Sequence, residues 1–143
     1  MSISGEYEYK VDAKGRMPIP PRFRGTYAQG IVLARGFDQC IVAYPPPVWE
    51  SIATQFSAQP LGKSKQRKLE RFIFGNAFEL DVDDQGRVLL PPKLREFAGI
   101  RDAAVIVGAN TRFEIWNKDL WEQEQADDSD QASRFIEQME NRE

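Results

Sequence analysis

The sequence contains the pattern Asp-x-x-Gly-Arg twice, in segments 12–16 and 83–87. An aspartate can accept hydrogen bonds within a tight turn, and a glycine can adopt the positive φ angle that such a turn requires. The arginine that follows can donate two hydrogen bonds, to O6 and N7 of a guanine. Each segment therefore combines a turn, formed around Gly15 or Gly86, with an arginine placed for contact with nucleic acid.

The candidate DNA-contacting residues follow from this pattern. Arg16 and Arg87 are the candidates for base contact, and Asp12 and Asp83 could hold them extended. Lys14 adds a positive charge to the first turn. A purely structural alternative is that each arginine only closes its turn through an ion pair with the aspartate.

Both motifs belong to a longer internal repeat. The segment DAKGRMPIPPRFR at 12–24 matches DDQGRVLLPPKLR at 83–95, and Asp83 follows Asp12 by 71 positions. Further along, Trp121 matches Trp49 at an offset of 72. So many matches in one order indicate a duplication, which is the feature to seek first in any sequence.

Each copy predicts the same series of elements. A first strand, a turn and a second strand starting at Arg16 or Arg87 predict a β-hairpin, although Pro18 should weaken strand pairing. The first strands are expected at 6–11 and 77–82. Short helices follow at 21–28 and 92–98, the latter capped by Gly99. Each copy then has a pair of strands, at 31–34 with 40–43 and at 104–107 with 112–116, and a closing helix. A unit of about fifty residues is marginal alone, so we expect the copies to interleave into one core about a pseudo-twofold axis.

The chain divides into four segments at this level. The two repeats occupy 5–50 and 77–122, a helical connector ending at Gly75 occupies 51–76, and an acidic tail occupies 123–143. The tail could be disordered, yet the spacing of its apolar residues is that of an amphipathic helix; these residues are Ala132, Phe135, Ile136 and Met139. The tryptophans Trp49, Trp116 and Trp121 and the cysteine Cys40 are expected to be buried.

Composition excludes several classes of chemistry. The chain has 143 residues, no histidine and one cysteine, so no Ser-His-Asp triad, histidine-ligated metal or internal disulfide can form. We therefore predict no catalytic residue, no metal site and no cofactor. Because the sequence lacks a long apolar run and a signal peptide, it also predicts no membrane contact and a cytoplasmic location.

Charge is unevenly distributed along the chain. The net charge is −3, but residues 127–143 hold six acidic and two basic side chains, which leaves the rest of the chain at +1. Basic residues after each Pro-Pro pair could contact phosphates or form a solvated helix face; they are Arg22, Arg24, Lys93 and Arg95. The basic run at 63–71 is more typical of a solvated face or a subunit contact than of DNA binding.

The two repeated segments, together with VGANTRFEIW at 107–116, closely resemble the MraZ family of bacterial transcriptional regulators. The resemblance covers nearly residues 1–125 and does not extend to the tail. It implies an α+β fold, an internally duplicated swapped-hairpin β-barrel of the AbrB-like superfamily with short peripheral helices. It also implies a nucleoid-associated ring of several subunits that binds short direct repeats of double-stranded DNA. Those repeats lie in the promoter of the family's own division and cell-wall gene cluster, and the Asp-x-x-x-Arg signature is associated with DNA contact.

Three functional hypotheses follow. The leading one is a multimeric, sequence-specific DNA-binding regulator. The alternative is an AbrB-type, antitoxin-like module whose main partner is a protein bound by the tail. An enzyme that uses Asp12 and Asp83 as a pair of acid-base carboxylates is the third hypothesis, and the glycine turns and missing histidine disfavour it.

Overall fold

The computed structural model of the chain describes residues 2–59 and 62–141. Residues 60, 61, 142 and 143, which belong to the expected connector and tail, lie outside the described residues. The eight strands are β1 (Glu6–Lys10), β2 (Arg16–Pro18), β3 (Ile31–Arg35), β4 (Ile41–Tyr44), β5 (Ala77–Leu80), β6 (Arg87–Leu89), β7 (Ala103–Gly108) and β8 (Phe113–Trp116). The α-helices are α1 (Pro46–Ser57), α2 (Ser64–Gly75), α3 (Pro92–Ala98) and α4 (Lys118–Glu140).

The strands form two antiparallel groups. Six of them make one sheet in the order β1-β7-β8-β4-β3-β5, and β2 pairs with β6 in a separate two-stranded ribbon. Strands β1 to β4 belong to the first copy and β5 to β8 to the second. Exchanging the two copies leaves this strand order unchanged, as a pseudo-twofold axis requires.

The first two strands of each copy pair with the other copy, so the predicted hairpin around each Asp-x-x-Gly turn is wrong. The predicted pairs within each copy, β3 with β4 and β7 with β8, are confirmed. Strand β1 pairs with β7, β5 pairs with β3, and β2 pairs with β6. One bond of a hairpin is present, from the Asp12 N–H to the Arg16 carbonyl. Beyond it β2 leaves β1, because Met17 and Ile19 are fully buried in the shared core and the Ile19 N–H donates to Gly86 of the other copy.

The six-stranded sheet is covered on both faces. One face packs against the ribbon and the short helices in a core that contains residues of both copies, with Leu33 and Ile106 among its members. Alternate residues of the same strands point to the other face, as the period of a strand dictates. There Trp49 of α1 covers β3 and Trp121 of α4 covers β7.

Two local predictions are confirmed and one needs correction. Helix α3 ends at Gly99 in the left-handed conformation, and α2 ends at Gly75 as expected. The helix expected at 21–28 is only a 3-10 helix, Pro21–Phe23, because the first copy has Gly25-Thr26 where the second has the better helix formers Glu96-Phe97.

The closing helix of the second copy and the tail are one element. Helix α4 runs without a break through Glu140, and Asn117 caps its start by accepting from the Leu120 N–H. Trp116, Trp121 and Trp49 are buried as predicted. Cys40 is also buried, and burial raises the pKa of its thiol well above the ordinary value.

The observed architecture is α+β with an antiparallel sheet. Across residues 2–59 and 62–141, strands β1 and β5 remain the two edges of the large sheet, so its hydrogen bonds do not close into a barrel. No helix in these described ranges is both long enough and apolar enough to cross a membrane.

The ribbon gives a direct test of this packing. Met17→Ala should lower the free energy of unfolding by about 2–5 kcal/mol, because the Met17 side chain is fully buried and its removal leaves a cavity. Leu89→Ala, on the opposite face of the same ribbon and 51% exposed, should change it by less than about 1 kcal/mol. Chemical denaturation of both variants provides the measurement, and equal losses would contradict the proposed inner and outer faces.

Candidate nucleic-acid interface

The first Asp-x-x-Gly-Arg segment is a turn organised by its aspartate. One carboxylate oxygen of Asp12 accepts hydrogen bonds from the backbone N–H groups of Lys14 and Arg16, each at 2.9 Å. The other oxygen accepts from Arg16 Nε at 2.9 Å. Gly15, at φ 89°, closes the turn by donating its N–H to the Asp12 carbonyl. The aspartate thereby both shapes the backbone and holds the guanidinium.

The second segment repeats this geometry bond for bond. Asp83 accepts from the backbone N–H groups of Gln85 and Arg87 at 2.9 Å and from Arg87 Nε at 3.0 Å. Gly86, at φ 76°, donates its N–H to the Asp83 carbonyl. In both copies the aspartate therefore holds the arginine through its Nε.

These bonds change the titration of both carboxyls. The backbone N–H of Arg16 lowers the pKa of Asp12 below the ordinary aspartate value, and the backbone N–H of Arg87 does the same for Asp83. A group with a depressed folded pKa stabilises the fold above its unfolded pKa, and that contribution is lost as the pH falls through the folded pKa. Both aspartates are therefore ionised, and both turns are intact, near neutral pH.

The crossed ribbon brings the two arginines onto one surface. In the β2–β6 register Met17 lies opposite Val88, Arg16 opposite Leu89, and Pro18 opposite Arg87. Met17 and Val88 point into the core, so the residues on either side of them point outward. Arg16 and Arg87 are therefore diagonal neighbours on the outer face, and this pairing was not foreseen because the sequence predicted two separate hairpins.

Both guanidinium groups are partly exposed and partly fixed. The exposed fractions of the Arg16 and Arg87 side chains are 33% and 26%. Arg87 Nη1 also lies 3.9 Å from Asp12 Oδ2, which links the two copies electrostatically. Within the described part of the chain, the terminal nitrogens of Arg16 and Arg87 donate no hydrogen bond to the protein, so their end-on faces can bind an external acceptor.

A shallow groove runs beside this arginine pair. Its lining includes residues that the motif did not single out, Lys10, Val11, Pro18, Asp102 and Ala103, together with Asp12, Arg16 and Arg87. Leu89 is an exposed apolar side chain on the same ribbon. Asp102 and Ala103 could not be identified from spacing, because they lie in the second copy and reach Arg16 only through pairing between the copies.

Arg24 and Arg95 have a different environment from the other basic candidates. Each crosses to the turn of the other copy: Arg24 lies over Gly86, and Arg95 lies over Gly15. Arg24 Nε donates to the Ile19 carbonyl at 3.2 Å, and Arg95 Nη2 donates to the Arg101 carbonyl at 2.7 Å. The two arginines therefore brace the turns.

The remaining basic candidates lie on the surface near the ribbon. Lys14 is exposed in the first turn, Arg22 on the 3-10 helix and Lys93 on α3. An exposed ammonium or guanidinium of this kind can contact a phosphate without any fixed geometry. Phosphate contact by these three residues stays a prediction.

The two aspartates are poorly suited to acid-base catalysis. Their oxygens already accept hydrogen bonds from the turns, and a lowered pKa weakens a carboxylate as a general base. Elsewhere, Glu124, Asp127 and Asp128 bring carboxylate oxygens within 4.8 Å of one another on α4. Burial and the neighbouring acidic groups raise the pKa of Glu124.

Gly86 offers a test of the bracing contact. Gly86→Ala should lower the free energy of unfolding by about 1–2 kcal/mol, because an L side chain is strained at positive φ and its Cβ would meet Arg24. Gly25→Ala is the matched control, since nothing lies within 4 Å of a Cβ there and its φ is ordinary. We expect the control to be neutral or up to about 1 kcal/mol more stable in thermal denaturation. A neutral Gly86→Ala would contradict the turn geometry.

The carboxyl titrations provide a second test. Carbon-detected NMR should give Asp12 and Asp83 midpoints below those of the same carboxyls in the urea-unfolded chain. In Arg16→Ala the Asp12 pKa should rise only part of the way, because the backbone N–H of residue 16, the largest cause of the depression, is retained. A return to the unfolded midpoint in that variant would show that the side-chain ion pair alone sets the pKa.

Comparison with known families matches nearly the whole chain. A family model described as "MraZ protein, putative antitoxin-like" matches twice, at residues 2–72 and 73–142. The two matches meet within the helical connector. The family model therefore matches each copy of the repeat separately.

Individual relatives agree with the family match. A protein of Roseiflexus castenholzii named "Transcriptional regulator MraZ" is 48% identical over 118 residues, which cover 82% of each chain. Proteins of the same name from Dehalococcoides mccartyi and Acetivibrio thermocellus are 40% and 38% identical; the first covers 95% of this chain and 96% of its own length, the second 94% of each. The chain therefore belongs to the MraZ family.

Proposed function

We propose that the protein is a sequence-specific DNA-binding transcriptional regulator that acts as a multimeric ring. Its target would be short direct repeats in the promoter of its own division and cell-wall gene cluster. The observation that carries the proposal is the pair of aspartate-held arginines, Arg16 and Arg87, side by side on the outer face of one β-ribbon. The names of the relatives, all transcriptional regulators, support the same class of function.

The dimensions of the ribbon suit the major groove of DNA. That groove admits a two-stranded β-ribbon, and guanine presents two acceptors there. Diagonal neighbours on such a ribbon lie roughly 7–8 Å apart, which is about two base-pair steps at 3.4 Å each. With Nε of each arginine held by an aspartate, the two terminal nitrogens form the end that faces a base. Arg16 and Arg87 could therefore each contact one guanine within a single short repeat.

Charge explains why assembly matters for this activity. The body of the chain is nearly neutral, and the aspartates offset part of the charge of the arginine pair, so nonspecific attraction to phosphate is weak. Several copies held together would engage several repeats at once, and the effective concentration would raise the apparent affinity. Repetition of the DNA site would then be part of the specificity.

The same proposal includes the finer description of the fold. The exchange of first strands between copies is what a swapped-hairpin, AbrB-like unit with both halves in one chain would give. In this description residues 5–50 and 77–122 are the two DNA-contacting repeats, 51–76 connects them, and 123–143 is an appended segment. A regulator of this kind would act without a cofactor or metal, at the nucleoid.

Arginine substitutions test the proposal. Arg16→Ala and Arg87→Ala should each weaken binding to the DNA upstream of the protein's own gene by roughly 5- to 150-fold, since a bidentate base contact is worth about 1–3 kcal/mol. Arg87→Lys should lose most of the same discrimination, because lysine keeps the charge but not the fork of donors. Fluorescence anisotropy with specific and scrambled DNA, across a salt series, measures both effects.

The controls separate base contact from general charge. Lys118→Ala removes an exposed positive charge from the start of α4 and should leave binding unchanged. Arg22→Ala and Lys93→Ala should weaken specific and scrambled DNA alike and reduce the salt dependence by about one ion each. If the Arg16→Ala, Arg87→Ala double variant keeps its fold and still binds the specific DNA normally, the proposal fails.

A module whose main partner is another protein is the second candidate function. The observation that favours it is the exposed apolar surface of α4, formed by Phe135, Ile136 and Met139. Deletion of residues 127–143 distinguishes the two, because the described part of that segment, 127–141, is almost entirely exposed and the core should fold without it. A regulator should then retain contact with single DNA repeats, whereas a protein-binding module should lose its principal partner.

A further inference from the structure

We propose that the distal half of α4, residues 126–140, docks on the α1–α2 face of a second copy of the chain. The inference rests on the multimer of the proposed function and names the surfaces that would build it. It makes the association head-to-tail, with a helix of one copy bound to a helix pair of the next. Repetition of such a contact closes into a ring or continues as a filament.

The donor surface is an apolar stripe with no cover in its own chain. Helix α4 has 23 residues, and its last fifteen span about 22 Å at 1.5 Å per residue. Phe135, Ile136 and Met139 are 58%, 56% and 71% exposed, and with Ala132 they share one side of the helix. A stripe of this size on a soluble helix marks a contact surface.

The acceptor surface is the groove between α1 and α2. Its described lining includes Phe56, Leu69 and the stems of Lys65 and Gln66, and Leu69 is 40% exposed. The groove therefore offers apolar contact to a docked helix.

The charges of the two helices favour contact of α4 with α2 of a second copy. The distal half of α4 carries five acidic residues against Arg134 alone, and α2 carries four basic residues against Glu70 alone. Two distal α4 segments packed on each other would bring like charges together, whereas α4 against α2 brings opposite charges together. The crowded carboxylates of Glu124, Asp127 and Asp128 lie at the start of this segment, where a basic helix would relieve their repulsion.

The position of both surfaces is compatible with DNA binding. Helices α1, α2 and α4 cover one face of the large sheet, whereas the ribbon with Arg16 and Arg87 lies beyond the other face. Docking through the helices would therefore leave the arginine pair of every copy exposed. The basic run of α2 then serves assembly, and the arginines of the ribbon serve DNA.

A charge-swap experiment on the full-length chain tests the docking. At 100° per residue, Asp128 and Glu140 are the acidic residues of 126–140 nearest to the apolar stripe, and Asp130 and Glu137 lie on the opposite side. Asp128→Lys with Glu140→Lys should reduce the assembly to smaller species by light scattering coupled to size exclusion. Asp130→Lys with Glu137→Lys makes the same change in charge and should retain the wild-type mass.

Reciprocal substitutions complete the design. Lys65→Glu with Lys68→Glu on α2 should also dissociate the wild-type assembly. An equimolar mixture with the Asp128→Lys, Glu140→Lys variant should reassemble, because each copy then meets a complementary surface on its neighbours. Phe135→Gln with Met139→Gln, which leaves charge unchanged, should raise the concentration for half-assembly by roughly tenfold or more. Circular dichroism checks that α4 and the core stay folded in each variant.

The outcomes are distinguishable from failure of the DNA proposal. The Arg16→Ala, Arg87→Ala variant should keep the mass of the wild-type assembly and lose specific DNA binding. The Asp128→Lys, Glu140→Lys variant should form smaller assemblies and keep weak binding to a single DNA repeat. A monomeric wild type, a stripe-face swap with unchanged mass, equal dissociation of the opposite-face control, or a mixture that does not reassemble would each overturn the docking. An unrelated protein bound to the stripe in place of a second copy would give the first of these results.

Discussion

The pairing of β2 with β6 is the interaction on which the rest of the structure depends. Two reciprocal hydrogen bonds hold the ends of this ribbon, from Ile19 to Gly86 and from Leu90 to Gly15. The pairing buries Met17 and Val88 in a core that neither copy could complete alone. It also sets the spacing of Arg16 and Arg87 on the outer face. Folding and construction of the candidate site are therefore a single event, and a chain that fails to pair the copies loses both.

The aspartate in each turn reduces the local positive charge and fixes the position of the arginine. It offsets part of the positive charge that would attract DNA in a nonspecific way, yet it fixes Nε of the arginine and leaves the terminal nitrogens facing outward. A pre-positioned side chain loses less conformational freedom when it binds. This exchange favours discrimination between sequences over affinity for any one site. Under the proposed function, affinity comes from several copies acting together, and weak individual contacts would then leave room for selectivity.

Local sequence patterns predicted most helices and strands, but they did not predict which distant strands pair. The duplication, the buried tryptophans and the turn chemistry around Gly15 and Gly86 followed from residue types and spacing. The partner of β2 did not, because a turn with Asp and Gly is equally compatible with a hairpin and with strands that separate after one bond. The roles of Arg24 and Arg95 were hidden for the same reason: each contacts a glycine 62 or 80 positions away, and only the register of the ribbon brings them together.

The two copies differ most in the helices that follow the shared core. The two ends of the molecule are therefore unlike. After its closing helix the first copy folds back as α2, which packs through Ile73 and Phe74 beside Trp49. The second copy continues as the single helix α4, and the apolar residues of its distal half, Phe135, Ile136 and Met139, remain exposed. A molecule with identical ends could pair only with itself in a symmetric way, whereas unlike ends favour head-to-tail contacts. The approximate symmetry of the core thus positions the two arginines together, and the departure from that symmetry at the helices is what would allow many such pairs to be arranged in series along a repeated DNA site.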